Sequence, residues 1–80
     1  MIKIAIIGGS GLTGKELIKI LTKFGFVAMR QRGSHVQLEK TDITEIIRLT
    51  VPLHPQLKRG TLSHIIKASK IDEKEFEKLF

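Results

Sequence analysis

The stretch Phe26-Val27-Ala28-Met29-Arg30-Gln31-Arg32-Gly33-Ser34-His35-Val36-Gln37-Leu38-Glu39-Lys40 decides the fold. Phe26–Arg32 reads as a strand, and Gly33-Ser34 reads as a tight turn. His35–Lys40 then alternates Val36 and Leu38 against His35, Gln37 and Glu39, the period of a half-buried strand. Two such runs joined by two turn residues make an antiparallel hairpin. Alternation also places Arg30 and Arg32 on one strand face, just before the turn that presents His35.

Working outward, Lys40–Thr44 is a polar connection and Ile46–Val51 is a third strand, stopped by Pro52. Leu53–Gly60 holds Pro55 and Gly60 and reads as loop throughout. Thr61–Ser69 carries Leu62, Ile65 and Ile66 on one helical stripe. Asp72-Glu73-Lys74-Glu75 has the capping-box form and opens a short last helix with Phe76, Leu79 and Phe80 inward. Upstream, Thr13-Gly14-Lys15-Glu16 is another capping box. Behind it Leu17, Ile18, Ile20, Leu21 and Phe24 recur at helical spacing, with Lys15, Lys19 and Lys23 on the opposite face. Gly25 is placed to end that helix in the left-handed conformation. Ile2–Ile7 is a strand-like lead. The expected class is α+β: helix, three antiparallel strands, helix, with that extra N-terminal segment.

Eighty residues hold one small core. The chain has no cysteine, which excludes disulfides and thiolate metal sites. No apolar run reaches bilayer-spanning length. The short stretch Ile4–Ile7 runs into Gly-Gly-Ser-Gly rather than a cleavage site, which predicts a cytoplasmic chain with no membrane role. The net charge is +6. Residues 1–40 hold seven basic and two acidic side chains, whereas residues 72–80 carry −2. A basic body with an acidic end suits a polyanionic partner, nucleic acid first, although a solvated surface has the same composition.

Gly9-Ser10-Gly11-Leu12-Thr13-Gly14 matches G-x-G-x-x-G between a predicted strand and a predicted helix, the context of a dinucleotide-binding turn. No acid occupies the position about twenty residues on, so Arg30 or Arg32 would have to read the ribose phosphate of NADP. Size opposes that reading. Such a site needs parallel strands with crossover helices, on the order of a hundred residues or more. After Arg32 the chain turns back instead. The alternative is that the glycines form a flexible joint and a helix cap.

From Leu12 onward the chain resembles the HicA (YcfA-like) toxin family of toxin–antitoxin systems. The resemblance is carried by Thr13-Gly14-Lys15-Glu16-Leu17-Ile18-Lys19, Gly25-Phe26-Val27, Arg30-Gln31-Arg32-Gly33-Ser34-His35, Thr50-Val51-Pro52-Leu53-His54 and Gly60-Thr61-Leu62. It divides the chain into an N-terminal extension, residues 1–11, and a HicA-like RNA-binding domain, residues 12–80. It implies a fold like a double-stranded-RNA-binding domain and metal-independent cleavage of mRNA by one histidine, at the position of His35. It also implies a HicB-like antitoxin as partner and no cofactor. The extension leaves open an edge strand that pairs with a partner or a second copy (a homodimer), or an unpaired tail. Lys70 stands where the family often has a helix-ending glycine.

The residues suit that chemistry on their own terms. Cleaving RNA through its 2′-hydroxyl needs a base for that proton and positive charge near the phosphate. Histidine titrates near neutral pH and serves as base without a metal. The forks of Arg30 and Arg32 match phosphate oxygens. Gly33 lets backbone approach an anion closely, and Ser34 suits a turn better than a nucleophile, since RNA supplies its own. Taken alone, His35 reads first as a strand residue facing water, and the family resemblance reverses that preference. His54 is either a second proton donor or a backbone-ordering residue. Lys15 extends the cationic footprint, or is simply the wet side of its helix. His64 reads as a surface residue. His35, His54 and His64 match no standard metal-ligand spacing. The leading reading is a metal-independent endoribonuclease. The alternatives are a non-catalytic RNA-binding module on the same fold and an NADP-binding fragment.

Overall fold

A computed structural model describes residues 11–79. The elements run α1 (Gly14–Lys23), β1 (Val27–Arg32), β2 (His35–Thr41), β3 (Ile46–Pro52), α2 (Arg59–Ser69) and α3 (Glu73–Leu79). The three strands form one antiparallel sheet in the order β1-β2-β3. This is the α+β layout of a double-stranded-RNA-binding domain. The strand-like lead Ile2–Ile7, most of the N-terminal extension and Phe80 lie outside the described residues, as does the side chain of Leu79.

Local sequence accounts for the ends of α1. Thr13 Oγ1 accepts from Glu16 N at 3.1 Å, and Glu16 Oε1 accepts from Thr13 N at 2.9 Å, so the predicted capping box is complete. Those bonds, with Lys19 adding a little, hold the Glu16 carboxyl below the usual carboxylate range. At the other end Gly25 adopts φ +98°. Gly25 N donates to Thr22 O and Phe26 N donates to Leu21 O, both at 3.1 Å. That pair of bonds is a Schellman motif, and its apolar partners Leu21 and Phe26 are both buried.

The core lies on one face of the sheet. Val36 and Leu38 of β2 and Ile47, Leu49 and Val51 of β3 point to the side covered by the helices. Leu17, Ile20 and Leu21 of α1 meet them, with Leu62, Ile65 and Ile66 of α2 and Phe76 of α3. The other face carries His35, Gln37, Glu39, Arg48 and Thr50 and stays open. One face buried and one face wet is the usual arrangement of a small antiparallel sheet.

Two expectations are corrected. First, β2 continues through Thr41 and β3 through Pro52, while β1 starts at Val27, one residue later than read. Second, Leu53–Gly60 is not all loop: α2 begins at Arg59, two residues before Thr61, with Gly60 in its first turn. Lys58 caps it without a side-chain hydrogen bond, so no capping signature marks the start. Leu57, in the loop that precedes α2, is fully buried in the core. As expected, β1 pairs antiparallel with β2, and it edges the sheet among the described residues. The parallel lead strand that the NADP-binding reading calls for, Ile2–Ile7, lies outside the described residues.

Lys70 ends α2 at φ 60° and ψ 21°, the left-handed conformation usually given to glycine. Its Nζ meets Glu45 Oε2 at 2.6 Å.

Candidate active site at the hairpin turn

The turn between β1 and β2 is two residues long, since Arg32 pairs with His35. Gly33 has φ +57°. A positive φ at the first central position alone is the type II′ pattern, whose twist suits a hairpin and which places glycine there. A Cβ on Gly33 would meet nothing within 4 Å, so the space around it is open. Gln31 Nε2 donates to Gly33 O at 2.9 Å and braces the turn.

Paired residues share a face of the sheet. His35 is exposed, opposite Arg32 on one side and Pro52 on the other. Arg30 opposes Gln37 on the same open face, one pair further along. The two arginines reach that face because β1 is bulged between Ala28 and Arg30, where Met29 is extra. Val27 opposes Glu39 and is also on the open face. Strict alternation from Val27 would send Arg30 and Arg32 to the helix side, and the bulge reverses the phase.

This end of the face is positive without compensation. Glu39 is the acid of the paired residues on that face, and Arg48 Nε holds its Oε2 at 3.1 Å. Among the described residues no ion pair engages Arg30, Arg32 or Lys15. Arginines left unneutralised beside open backbone suit phosphate oxygens.

The β3–α2 loop brings the second histidine in. Leu53 N donates to Ser34 O at 2.6 Å, joining the loop to the hairpin turn. Gly14 N donates to His54 O at 3.1 Å, and Leu57 N donates to Leu12 O at 2.9 Å, joining the loop to the start of α1. Buried Leu57 anchors the segment from below. As a result the His35 and His54 ring centroids lie 6.4 Å apart with planes at 75°. Ser34 Oγ lies 3.4 Å from His35 Nδ1. When Ser34 accepts the Nδ1 proton, the lone pair of His35 Nε2 faces outward, the tautomer a base requires.

Gly14 permits this arrangement. A Cβ built there would stand 2.1 Å from Pro52 O and 2.9 Å from Leu53 Cα, both backbone atoms. The last glycine of the G-x-G-x-x-G pattern is therefore filled from outside by the end of β3. The close approach serves helix–loop docking, not a pyrophosphate.

Of the sequence-derived residues, Arg32, Gly33, Ser34, His35 and His54 come together, and Arg30 flanks them. Lys15 follows Gly14 in the first turn of α1 and is exposed. His64 is on α2, lining a groove with Arg48, Thr50 and Ala68 instead. Gln31, Leu53 and Leu57 are the supports that sequence reasoning missed. Among the described residues no three His, Asp or Glu side chains converge.

The fold and the cationic hairpin define a small α+β domain of double-stranded-RNA-binding layout. Residues 14–71 match the family described as HicA toxin of bacterial toxin-antitoxin, and the chain belongs to that family of toxins. No curated protein matches the chain. Among the described residues no helix is long and apolar enough to cross a membrane.

Proposed function

We propose that the chain is the toxin of a toxin–antitoxin pair and acts as an endoribonuclease on mRNA, with His35 as general base. The observation that carries this reading is the placement of His35. It is exposed at the turn, directly opposite Arg32, on the face that the core leaves open. In this reading His35 Nε2 takes the proton of a ribose 2′-hydroxyl. The 2′ oxygen attacks the adjacent phosphorus, and Arg32 and Arg30 hold the phosphate oxygens as charge builds. Ser34, accepting from Nδ1, leaves Nε2 free to take that proton. Gly33 leaves room for the ribose-phosphate chain, and Lys15 and His54 extend the contact with RNA. Neither cofactor nor metal takes part. The neutralising partner is a HicB-like antitoxin, and the site of action is the cytoplasm.

The test is incubation with single-stranded RNA in EDTA. Wild type is expected to cleave, and His35→Ala is expected to lose about 10²–10⁴-fold in rate, the worth of a general base. Absence of cleavage by wild type, or equal cleavage by the variant, removes the proposal. Binding without cleavage would favour the non-catalytic RNA-binding module.

A further inference from the structure

The base at His35 leaves half of the reaction without an agent. When the phosphorus–oxygen bond to the next nucleoside breaks, the departing 5′ oxygen needs a proton, because a bare alkoxide leaves poorly. Arg30 and Arg32 cannot supply it, since a guanidinium does not give up its proton in a protein. A lysine ammonium such as Lys15 is a strongly hydrated point charge whose ordinary range lies well above neutrality. The side chain beside His35 that titrates near neutral pH as a residue type is His54.

Its placement suits the task. The two rings come from different elements, the start of β2 and the β3–α2 loop, and stand 6.4 Å apart at 75°. They are neither stacked nor bonded to each other. An acid and a base serving one in-line displacement must reach oxygens on opposite sides of the same phosphorus, each at about 2.6–3.2 Å. Two ring edges separated this way can bracket one phosphodiester. Both rings belong to exposed residues, so substrate can enter between them. The backbone of His54 is held by Gly14 N, which fixes the residue without occupying its imidazole.

We infer that His54 is the general acid that protonates the leaving 5′ oxygen, an assignment that rests on the endoribonuclease reading above. The 2′ oxygen–phosphorus bond forms as His35 takes the 2′ proton. The phosphorus–5′ oxygen bond breaks as the His54 imidazolium gives its proton to that oxygen. The products are a 2′,3′-cyclic phosphate and a 5′-hydroxyl. His35 ends protonated and His54 neutral, and exchange with water resets both. No electrons are transferred to or from the protein.

The experiment compares two RNA substrates of the same sequence, one natural and one with sulfur replacing the bridging 5′ oxygen at the cleaved linkage. A thiolate leaves without protonation, so the acid becomes dispensable. His54→Ala is expected to cleave the natural substrate about 10²–10⁴-fold more slowly than wild type. It is expected to cleave the sulfur substrate within a few-fold of wild type. His35→Ala should be slow on both. The melting temperature of His54→Ala should match wild type, because the Gly14–His54 bond uses only backbone atoms. Two outcomes overturn the assignment while leaving His35 as base: wild-type rates for His54→Ala on natural RNA, or an equal defect on both substrates. Failure of wild type to cleave either substrate overturns the endoribonuclease reading, and the acid with it.

Discussion

Two helical glycines should respond to alanine with opposite signs. At Gly14 the added methyl would sit 2.1 Å from Pro52 O and 2.9 Å from Leu53 Cα. Neither atom is the flexible end of a side chain, so the start of α1 must move off the loop by about an ångström. Such overpacking costs about 1–3 kcal/mol. The same movement lengthens the Gly14 N to His54 O bond, a loss of about 1 kcal/mol. Against this, alanine favours a helix over glycine by up to about 1 kcal/mol. The balance is a destabilisation of about 2 kcal/mol. At Gly60 an added Cβ meets nothing within 4 Å, so only the propensity gain remains, about 0.5–1 kcal/mol of stabilisation.

Urea unfolding followed by circular dichroism measures both. With a slope of about 1 kcal/mol per molar for a chain this small, Gly14→Ala should lower the midpoint by about 2 M. Gly60→Ala should raise it by about 0.5–1 M. If Gly14→Ala is as stable as Gly60→Ala, the close approach of α1 to the end of β3 is wrong. The account of how His54 reaches His35 then fails with it.

Lys70→Gly should stabilise the chain. It relieves a left-handed lysine, worth about 1–2 kcal/mol, and gives up the exposed Lys70–Glu45 pair, worth at most about 1 kcal/mol. A rise of a few degrees in melting temperature is expected, and a fall would show that the ion pair dominates. If RNA binds the open face as proposed, Arg32→Ala and Arg30→Ala should each weaken binding at every sequence. Each should also reduce the slope of log K against log salt by about 0.7, one phosphate contact on a single strand. A slope unchanged in both variants would place the phosphates elsewhere.

Much of the fold was legible because it is local. The Thr13–Glu16 box, the Gly25 cap and the alternation of Val36 and Leu38 each involve residues a few positions apart, and each is found in the structure. What escaped is set by tertiary contact. The start of α2 at Arg59 has no capping side chain, and a glycine in its first turn looked like a loop. Leu57 is an isolated apolar residue between polar neighbours, so no period could mark it as core. The pairing of Arg30 and Arg32 on one face was readable from their spacing of two. Which face they share was not, because it depends on the Met29 bulge, and a bulge has no signature in this stretch. Gly14 was visible as a glycine at a helix start. Whether an anion or the chain itself fills the space beside it is decided by Pro52, far away in sequence.

The arrangement also separates the site from the core that supports the sheet. His35, Arg30 and Arg32 are presented by a hairpin whose other face is buried, so their positions are as stable as the sheet itself. His54 sits on a loop held to α1 and to the turn by three backbone bonds and one buried leucine. Loop openings of this kind cost less free energy than global unfolding. Loosening at Gly14 or Leu57 therefore moves one imidazole away from the other while the strands remain paired. A variant that keeps its helix and sheet signals yet loses the alignment of the two rings is the expected form of damage here. For the proposed cleavage, that makes the joint between α1 and the β3–α2 loop as consequential as the side chains that would meet the RNA.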